Sequence, residues 1–192
     1  DPKTGKVAGT IPLGGKPEFS QIDGKGKLYV NNEDSSEVME LDAQALRVLR
    51  KWSLAPCEEP SGLAIDLKGN RLFSVCSNKL MAISDIAAGK TLTTLPIGDG
   101  ADGVAFDPAT ATAFSSNGEG TMTVVREVKG KFSVVQTLKT ERGARTVVLD
   151  PSTHIIYTPT AKLGPAPPPT AQTPRPRPTA LPDSFHLLVI AR

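Results

Sequence analysis

The sequence is poor in the residues from which most catalytic and metal-binding sites are built. It has two histidines, two cysteines and one tryptophan among 192 residues. No cluster of Cys, His and carboxylate residues has metal-ligand spacing, and no G-x-S-x-G elbow, P-loop or G-x-G-x-x-G turn before a helix is present. We therefore expect no cofactor, and we assign no catalytic residue and no metal ligand.

Charge and hydropathy exclude two further classes of protein. The net charge is only +2, and no stripe of basic and aromatic residues is present, so nucleic-acid binding is not expected. No apolar run approaches the ~20 residues of a membrane-spanning helix, so no membrane span is expected.

A short strand recurs through this glycine- and proline-rich chain. Its four copies are "LYVNN" (28–32), "LFSVC" (72–76), "AFSSN" (113–117) and "IIYTPT" (155–160). The aromatic residues of these copies are 44, 41 and 43 residues apart: Tyr29, Phe73, Phe114 and Tyr157. A second marker is an aspartate that ends the strand before each copy, at intervals of 43, 41 and 43 residues: Asp23, Asp66, Asp107 and Asp150.

Each aspartate is followed by a turn, the aromatic strand and two more strand-like segments. In the first unit these last two segments are "EVMELD" (37–42) and "LRVLRKWSL" (46–54). Four short strands in ~42 residues are typical of one blade of a β-propeller. The sequence therefore predicts an all-β protein, a β-propeller of four blades with four antiparallel strands each. The alternative is a set of unrelated hairpins in a β-sandwich.

The fourth unit is interrupted by a Pro-rich insert at 161–184, after which "FHLLVIAR" (185–192) has the pattern of a third strand. The matching fourth strand is "GKVAGTIPL" (5–13), which resembles the fourth-strand segment "KTLTTLPI" (90–97). We therefore predict that residues 1–192 form one domain closed by pairing of the N- and C-terminal strands. Such closure hides edge strands that otherwise pair with neighbours, so we expect either a monomer or an oligomer formed through edge strands.

The first unit resembles the YVTN repeat of YncE-like propellers. The matching residues are Thr10-Ile11-Pro12-Leu13-Gly14, Pro17 and Tyr29-Val30-Asn31-Asn32, and later units keep only parts of the motif. The resemblance implies a propeller exported to the periplasm, the cell surface or the medium. Relatives of this kind usually have seven blades, so the alternative to a four-bladed ring is the C-terminal part of a longer propeller.

The loops that lead into the innermost strands of a propeller open on one face, which normally carries binding. Six charged residues of these loops are the candidate ligand-binding residues: Glu18, Glu59, Asp99, Asp102, Arg142 and Arg145. We expect this face to bind a protein, a peptide or a glycan. The simpler interpretation is that charged residues occupy solvated loops. The alternative function is a hydrolase resembling the propeller lactonases, which would use these carboxylates on an ester, with or without a divalent cation.

The Pro-rich insert belongs to the same face, where it is either a lid over the central opening of the propeller or a passive surface loop. Cys57 precedes the innermost strand of the second unit, and Cys76 ends the strand paired with it. Antiparallel pairing brings these two ends together, which predicts a disulfide and an oxidising compartment. Two unrelated thiols are the alternative.

Overall fold

The computed structural model describes residues 1–174 and 176–191, and its regular structure there is entirely β-strand. Its fifteen strands are β1 (Pro17–Ile22), β2 (Lys27–Asn32), β3 (Glu37–Asp42), β4 (Arg47–Ser53), β5 (Pro60–Asp66), β6 (Arg71–Cys76), β7 (Leu80–Asp85), β8 (Lys90–Pro96), β9 (Ala101–Asp107), β10 (Thr112–Asn117), β11 (Thr121–Val128), β12 (Lys131–Lys139), β13 (Val148–Asp150), β14 (Ile155–Thr160) and β15 (His186–Ile190). Arg175 of the insert and Arg192 of the predicted last strand lie outside the described residues.

The strands form four antiparallel sheets in sequence order, which confirms the predicted propeller of four blades. Blade 1 is β1–β4, blade 2 is β5–β8, blade 3 is β9–β12 and blade 4 is β13–β15. The innermost strands lie side by side in the order β1, β5, β9 and β13, and all four line a central cavity of about 310 Å³.

The repeated aspartates form the turns between the first two strands of each blade. Asp66 Oδ1 accepts hydrogen bonds from the N–H groups of Lys68 and Gly69, at 3.0 and 2.8 Å. Asp23, Asp107 and Asp150 each accept equivalent bonds from the backbone two residues on. A short carboxylate that bonds its own turn closes the chain tightly, so these residues serve the fold.

The aromatic strands β2, β6 and β10 are buried on both faces along most of their length. Along β6, Leu72 packs toward blade 1, whereas the next residue, Phe73, packs toward blade 3. Successive side chains of a strand point to opposite faces, so one strand supplies two cores. Tyr29 and Trp52 fill the core between blades 1 and 2, where Trp52 Nε1 donates to Ser84 Oγ at 3.1 Å.

Buried polar side chains fix the spacing of neighbouring blades. Asn31, in the recurrent "LYVNN" strand, donates from Nδ2 to the carbonyl oxygens of Ser61 and Gly62, at 3.1 and 3.0 Å. Its Oδ1 accepts from Ser74 Oγ at 2.9 Å. A side chain on Gly62 would meet the carbonyl oxygen of Asp102 at 2.7 Å, so only glycine permits this approach of blades 2 and 3.

The predicted closing pair is not formed, which corrects one part of the predicted fold. Residues 5–13 contain no strand, and β15 pairs only with β14, so blade 4 has three described strands. Ile11 and Leu13 instead pack on Val30, Met39 and Leu41, on the face of blade 1 that points away from blade 2. Because burial of apolar side chains is favourable, these two residues pack on the nearest apolar face, and this contact replaces the predicted pairing.

The Pro-rich insert leaves blade 4 as a loop with a short stem. Leu163 and Ala180 form an isolated antiparallel bridge. The Gly164 N–H donates to the Thr179 carbonyl at 2.9 Å, and the Leu181 N–H donates to the Lys162 carbonyl at 2.8 Å. The stem fixes both ends of the insert at the end of β14, on the loop face.

Candidate functional site

Strand pairing brings the candidate loops to one face of the propeller. The first residue of each innermost strand lies opposite the last residue of the second strand, as in the pairs Pro17–Asn32, Pro60–Cys76 and Ala101–Asn117. The loops before β1, β5 and β9 therefore stand next to the loops after β2, β6 and β10. We call this end of the molecule the loop face.

A register irregularity recurs where each of these innermost strands begins. The pairing shifts between Pro17 and Ser20 in β1, between Pro60 and Leu63 in β5, and beside Ala101 in β9. An extra residue of this kind bends a strand locally and redirects a side chain. The residues at these irregularities are Glu18, Ser61 and Asp102.

These positions line a polar cavity of about 310 Å³ on the loop face. We call it the funnel, and its wall consists of Lys16, Glu18, Glu33, Glu59, Ser61, Ser77, Ala101, Asp102, Arg145 and Arg177. Four of the six predicted site residues are among them. Arg177 comes from the Pro-rich insert, so the insert contributes to the mouth, as the lid hypothesis requires.

Charges of opposite sign are paired around the funnel. Lys16 Nζ contacts Glu18 Oε1 at 3.1 Å and also binds Glu33. Hydrogen bonds from Lys16 to Glu33 and then to Glu18 raise the pKa of this ammonium above its usual value. Arg145 Nη1 lies 3.8 Å from Asp102 Oδ1. Exposed pairs of this kind contribute little to stability, so they can exchange their partners with a ligand.

The backbone of Glu59 has a left-handed conformation, which residues other than glycine rarely adopt. Its φ is +50°, its N–H donates to Ser36 Oγ at 3.2 Å, and its Oε2 accepts from Ser77 Oγ at 2.8 Å. Eight other described residues that are not glycine share this left-handed conformation, and most of them lie in turns. The bend at Glu59 places a carboxylate at the funnel wall with only a neutral hydroxyl bound to it among the described side chains.

Asp99 and Arg142 do not reach the funnel. Asp99 pairs with Lys79, with 3.3 Å between Oδ2 and Nζ. Arg142 lines a separate cavity of about 340 Å³ with Lys162. Both residues lie eight positions before the repeated aspartate of their blade, whereas Lys16 and Glu59 lie seven positions before it.

A positional signal in the sequence identifies the funnel more sharply than loop membership does. Glu18, Ser61, Asp102 and Arg145 each lie five residues before the repeated aspartate. Glu33 and Ser77 each lie four residues after the repeated aromatic. The sequence analysis selected charged residues of the loops before the innermost strands and did not single out Lys16, Glu33, Ser61 or Ser77.

The arrangement adds no specific support to the hydrolase alternative. Glu18, Glu59 and Asp102 share the funnel, but they contact Lys16, Ser77 and Arg145 rather than one another. Within residues 1–174 and 176–191, no three His, Cys, Asp or Glu side chains are placed to share a metal ion. In the same residues no helix has the length and apolar character needed to cross a membrane.

A larger cavity of about 400 Å³ lies between blades 3 and 4, and no predicted site residue lines it. Phe114 and Ile156 form its apolar walls, and Asp107 and His154 meet at its end with 3.2 Å between Oδ1 and Nδ1. Burial opposes ionisation of Asp107, but hydrogen bonds from Thr110 and the Ala109 N–H, together with His154, lower its pKa below the usual value. These bonds belong to the turn and to the contact between the two blades.

The predicted cysteine pair lies beside the loop face. Cys57 and Cys76 have Cα atoms 5.7 Å apart and sulfurs at bonding distance, and both residues are fully buried in the core between blades 1 and 2. The pair joins the loop that carries Glu59 to the loop that carries Ser77. It therefore holds two parts of the funnel wall together.

Comparison with known proteins supports the fold alone. No protein-family model matches the sequence, and no curated protein is significantly similar to it. The structure resembles the solved structure of Kuenenia stuttgartiensis hydrazine synthase, a β-propeller-containing protein, with a TM-score of 0.69 and 17% identity over 84% of this chain. The match covers 46% of the hydrazine synthase chain, so this chain spans about half of that length.

Proposed function

We propose that this protein is an extracytoplasmic binding module, a YVTN/YncE-like propeller whose funnel binds a charged segment of a partner protein or a peptide. The observation that carries the proposal is the funnel itself. Equivalent positions of successive blades supply its wall, and that wall holds four carboxylates and three basic side chains. A surface with both signs close together is complementary to a polypeptide segment with both signs.

Three observations support the finer parts of this proposal. The repeat markers and the Tyr29-Val30-Asn31-Asn32 segment support a YVTN/YncE-like family. The buried cysteine pair supports an oxidising compartment, because disulfides persist in exported proteins. Arg177 at the funnel mouth supports the insert as a lid that contacts the ligand. A glycan is the other ligand class, and the experiment below separates it from a peptide.

The test is selection of ligands from a random-peptide display library, with a glycan array probed in parallel. We expect peptides that bear both charges, and we expect the double variant Glu59→Gln/Asp102→Asn to bind them at least about tenfold more weakly. The physical reason is that a hydrogen bond to a charged group contributes ~1.5–3 kcal/mol.

The matched control is Glu127→Gln, an exposed glutamate near the other end of blade 3. Its affinity for the selected peptide should equal that of the wild type. Equal binding by the funnel variant and the wild type contradicts the site, and glycan binding without peptide binding contradicts the ligand class.

A further inference from the structure

Blade 4 exposes both an edge and an apolar face. Among the described strands, β15 pairs with β14 and has no partner on its outer edge, whereas the other sheets carry a fourth strand there. Tyr157 lies opposite both Val148 and Val189, so these side chains share the face that points away from blade 3. Val148 and Val189 are 60% and 59% exposed, and Leu187 on the same face is 51% exposed.

The equivalent faces of the earlier blades are buried by the next blade. Tyr29 of blade 1 and Phe73 of blade 2 correspond to Tyr157, and they are 1% and 2% exposed. The exposed face of blade 4 therefore continues a type of interface that the chain forms twice within itself, at the cores around Tyr29 and around Phe73. A contiguous apolar face of this kind marks an interaction surface.

The N-terminal segment is a candidate for the fourth strand that is not among the described strands of blade 4. Residues 5–13 have the sequence pattern of a fourth strand, and Ile11 and Leu13 hold them on the face of blade 1 that points away from blade 2. A blade that preceded blade 1 would place its outer strand there. Val7 in this segment is 83% exposed.

We propose that a second copy of this chain covers blade 4. Blade 4 of one copy packs on blade 1 of the other, and residues 5–13 of that other copy pair with β15 as the missing fourth strand. The reciprocal contact closes a two-fold symmetric ring of eight blades. Closed two-fold assemblies are the commonest oligomers, and here both contacts are identical by symmetry.

The size of the exposed surface fits such an assembly. The chain exposes 10948 Å², whereas a compact monomer of 20.2 kDa exposes about 8,800 Å². The excess of about 2,000 Å² per chain, to which the exposed residues 1–10 and 165–174 also contribute, is comparable to the total area buried in a standard-size interface. Burial of the two ends of the row of blades removes surface of this kind. The inference rests on the edge and the outer face of blade 4 rather than on the funnel wall, and its test does not require a ligand.

The test is light scattering coupled to gel filtration at micromolar concentration. We expect a mass about twice 20.2 kDa for the unaltered chain. The variant Leu187→Lys/Val189→Lys should run as a folded monomer, because both side chains are exposed in the single chain and buried only in the dimer. The matched control Leu92→Lys/Val135→Lys changes side chains of similar exposure, 43% and 45%, on the outermost strands of blades 2 and 3 and should remain a dimer. Circular dichroism checks that each variant folds.

Three results overturn the proposal. One is a monomeric wild type, including a monomer in which slow amide exchange of residues 5–13 shows that they pair with β15 of the same chain. The second is a dimer that survives Leu187→Lys/Val189→Lys, since its interface then lies elsewhere. The third is an open-ended series of larger species, which excludes a closed ring.

Discussion

At the scale of single residues, the repeated aspartates show how a sequence signal and a functional site differ. They are the most regular feature of the chain, yet they form turns at the end opposite the funnel. Side-chain hydrogen bonds from Ser152 and Thr153 lower the pKa of Asp150 to about 2. Hydrogen bonds to the ionised form stabilise it in the folded protein, so this shift is also a statement about stability.

Acid should therefore destabilise the protein partly through Asp150. Its pKa is lower in the folded state than its ordinary value of 3.8, so the stabilisation is present above about pH 4 and is lost as the pH falls toward about 2. We expect the unfolding free energy of Asp150→Asn, measured in urea, to fall less over this range than that of the wild type. Asp34→Asn, in an exposed loop, is the control. Parallel curves for the wild type and Asp150→Asn would contradict this role.

At the scale of strands, the local sequence pattern predicted most of the strands, but it did not predict every strand pairing. The side chains of β2 and β6 alternate between two cores, so the register of these strands follows from burial. Residues 5–13 have a strand-like pattern too. Pairing also needs a free edge within reach, and the nearest apolar surface, on blade 1, binds Ile11 and Leu13 instead.

The cysteine pair should couple two of these elements. It closes a loop with a sequence separation of 19 residues between the end of β6 and the segment before β5, and a cross-link of that length stabilises a fold by about 3 kcal/mol. We expect Cys57→Ala/Cys76→Ala to lose about that much unfolding free energy in a denaturant titration. Reductant should lower the stability of the wild type and leave that of the variant unchanged. Free thiols found by mass spectrometry in protein purified without reductant would contradict the bond.

At the scale of the whole molecule, the repeat predicted the propeller, and the propeller predicted that its loops meet on one face. Within the loops, the sequence interpretation treated all charged residues alike, whereas the structure places them in different surroundings. Asp99 and Arg142 lie eight residues before the repeated aspartate of their blade, and their side chains lie outside the funnel. Glu18 and Asp102 are redirected by register shifts that depend on pairing with the neighbouring strand. The residue types of a loop do not predict such shifts.

The central claim is that ligands bind at the funnel, and amide hydrogen exchange with a library-selected peptide tests it most directly. Bound peptide should slow exchange in the loops at 14–18, 57–61, 98–102 and 141–145 and in the insert near Arg177. Exchange in the turns at the opposite end, residues 24–26, 67–70, 108–111 and 151–154, should stay as it is in the free protein. Protection confined to those turns, or to the exposed face of blade 4, would contradict the funnel as the binding site.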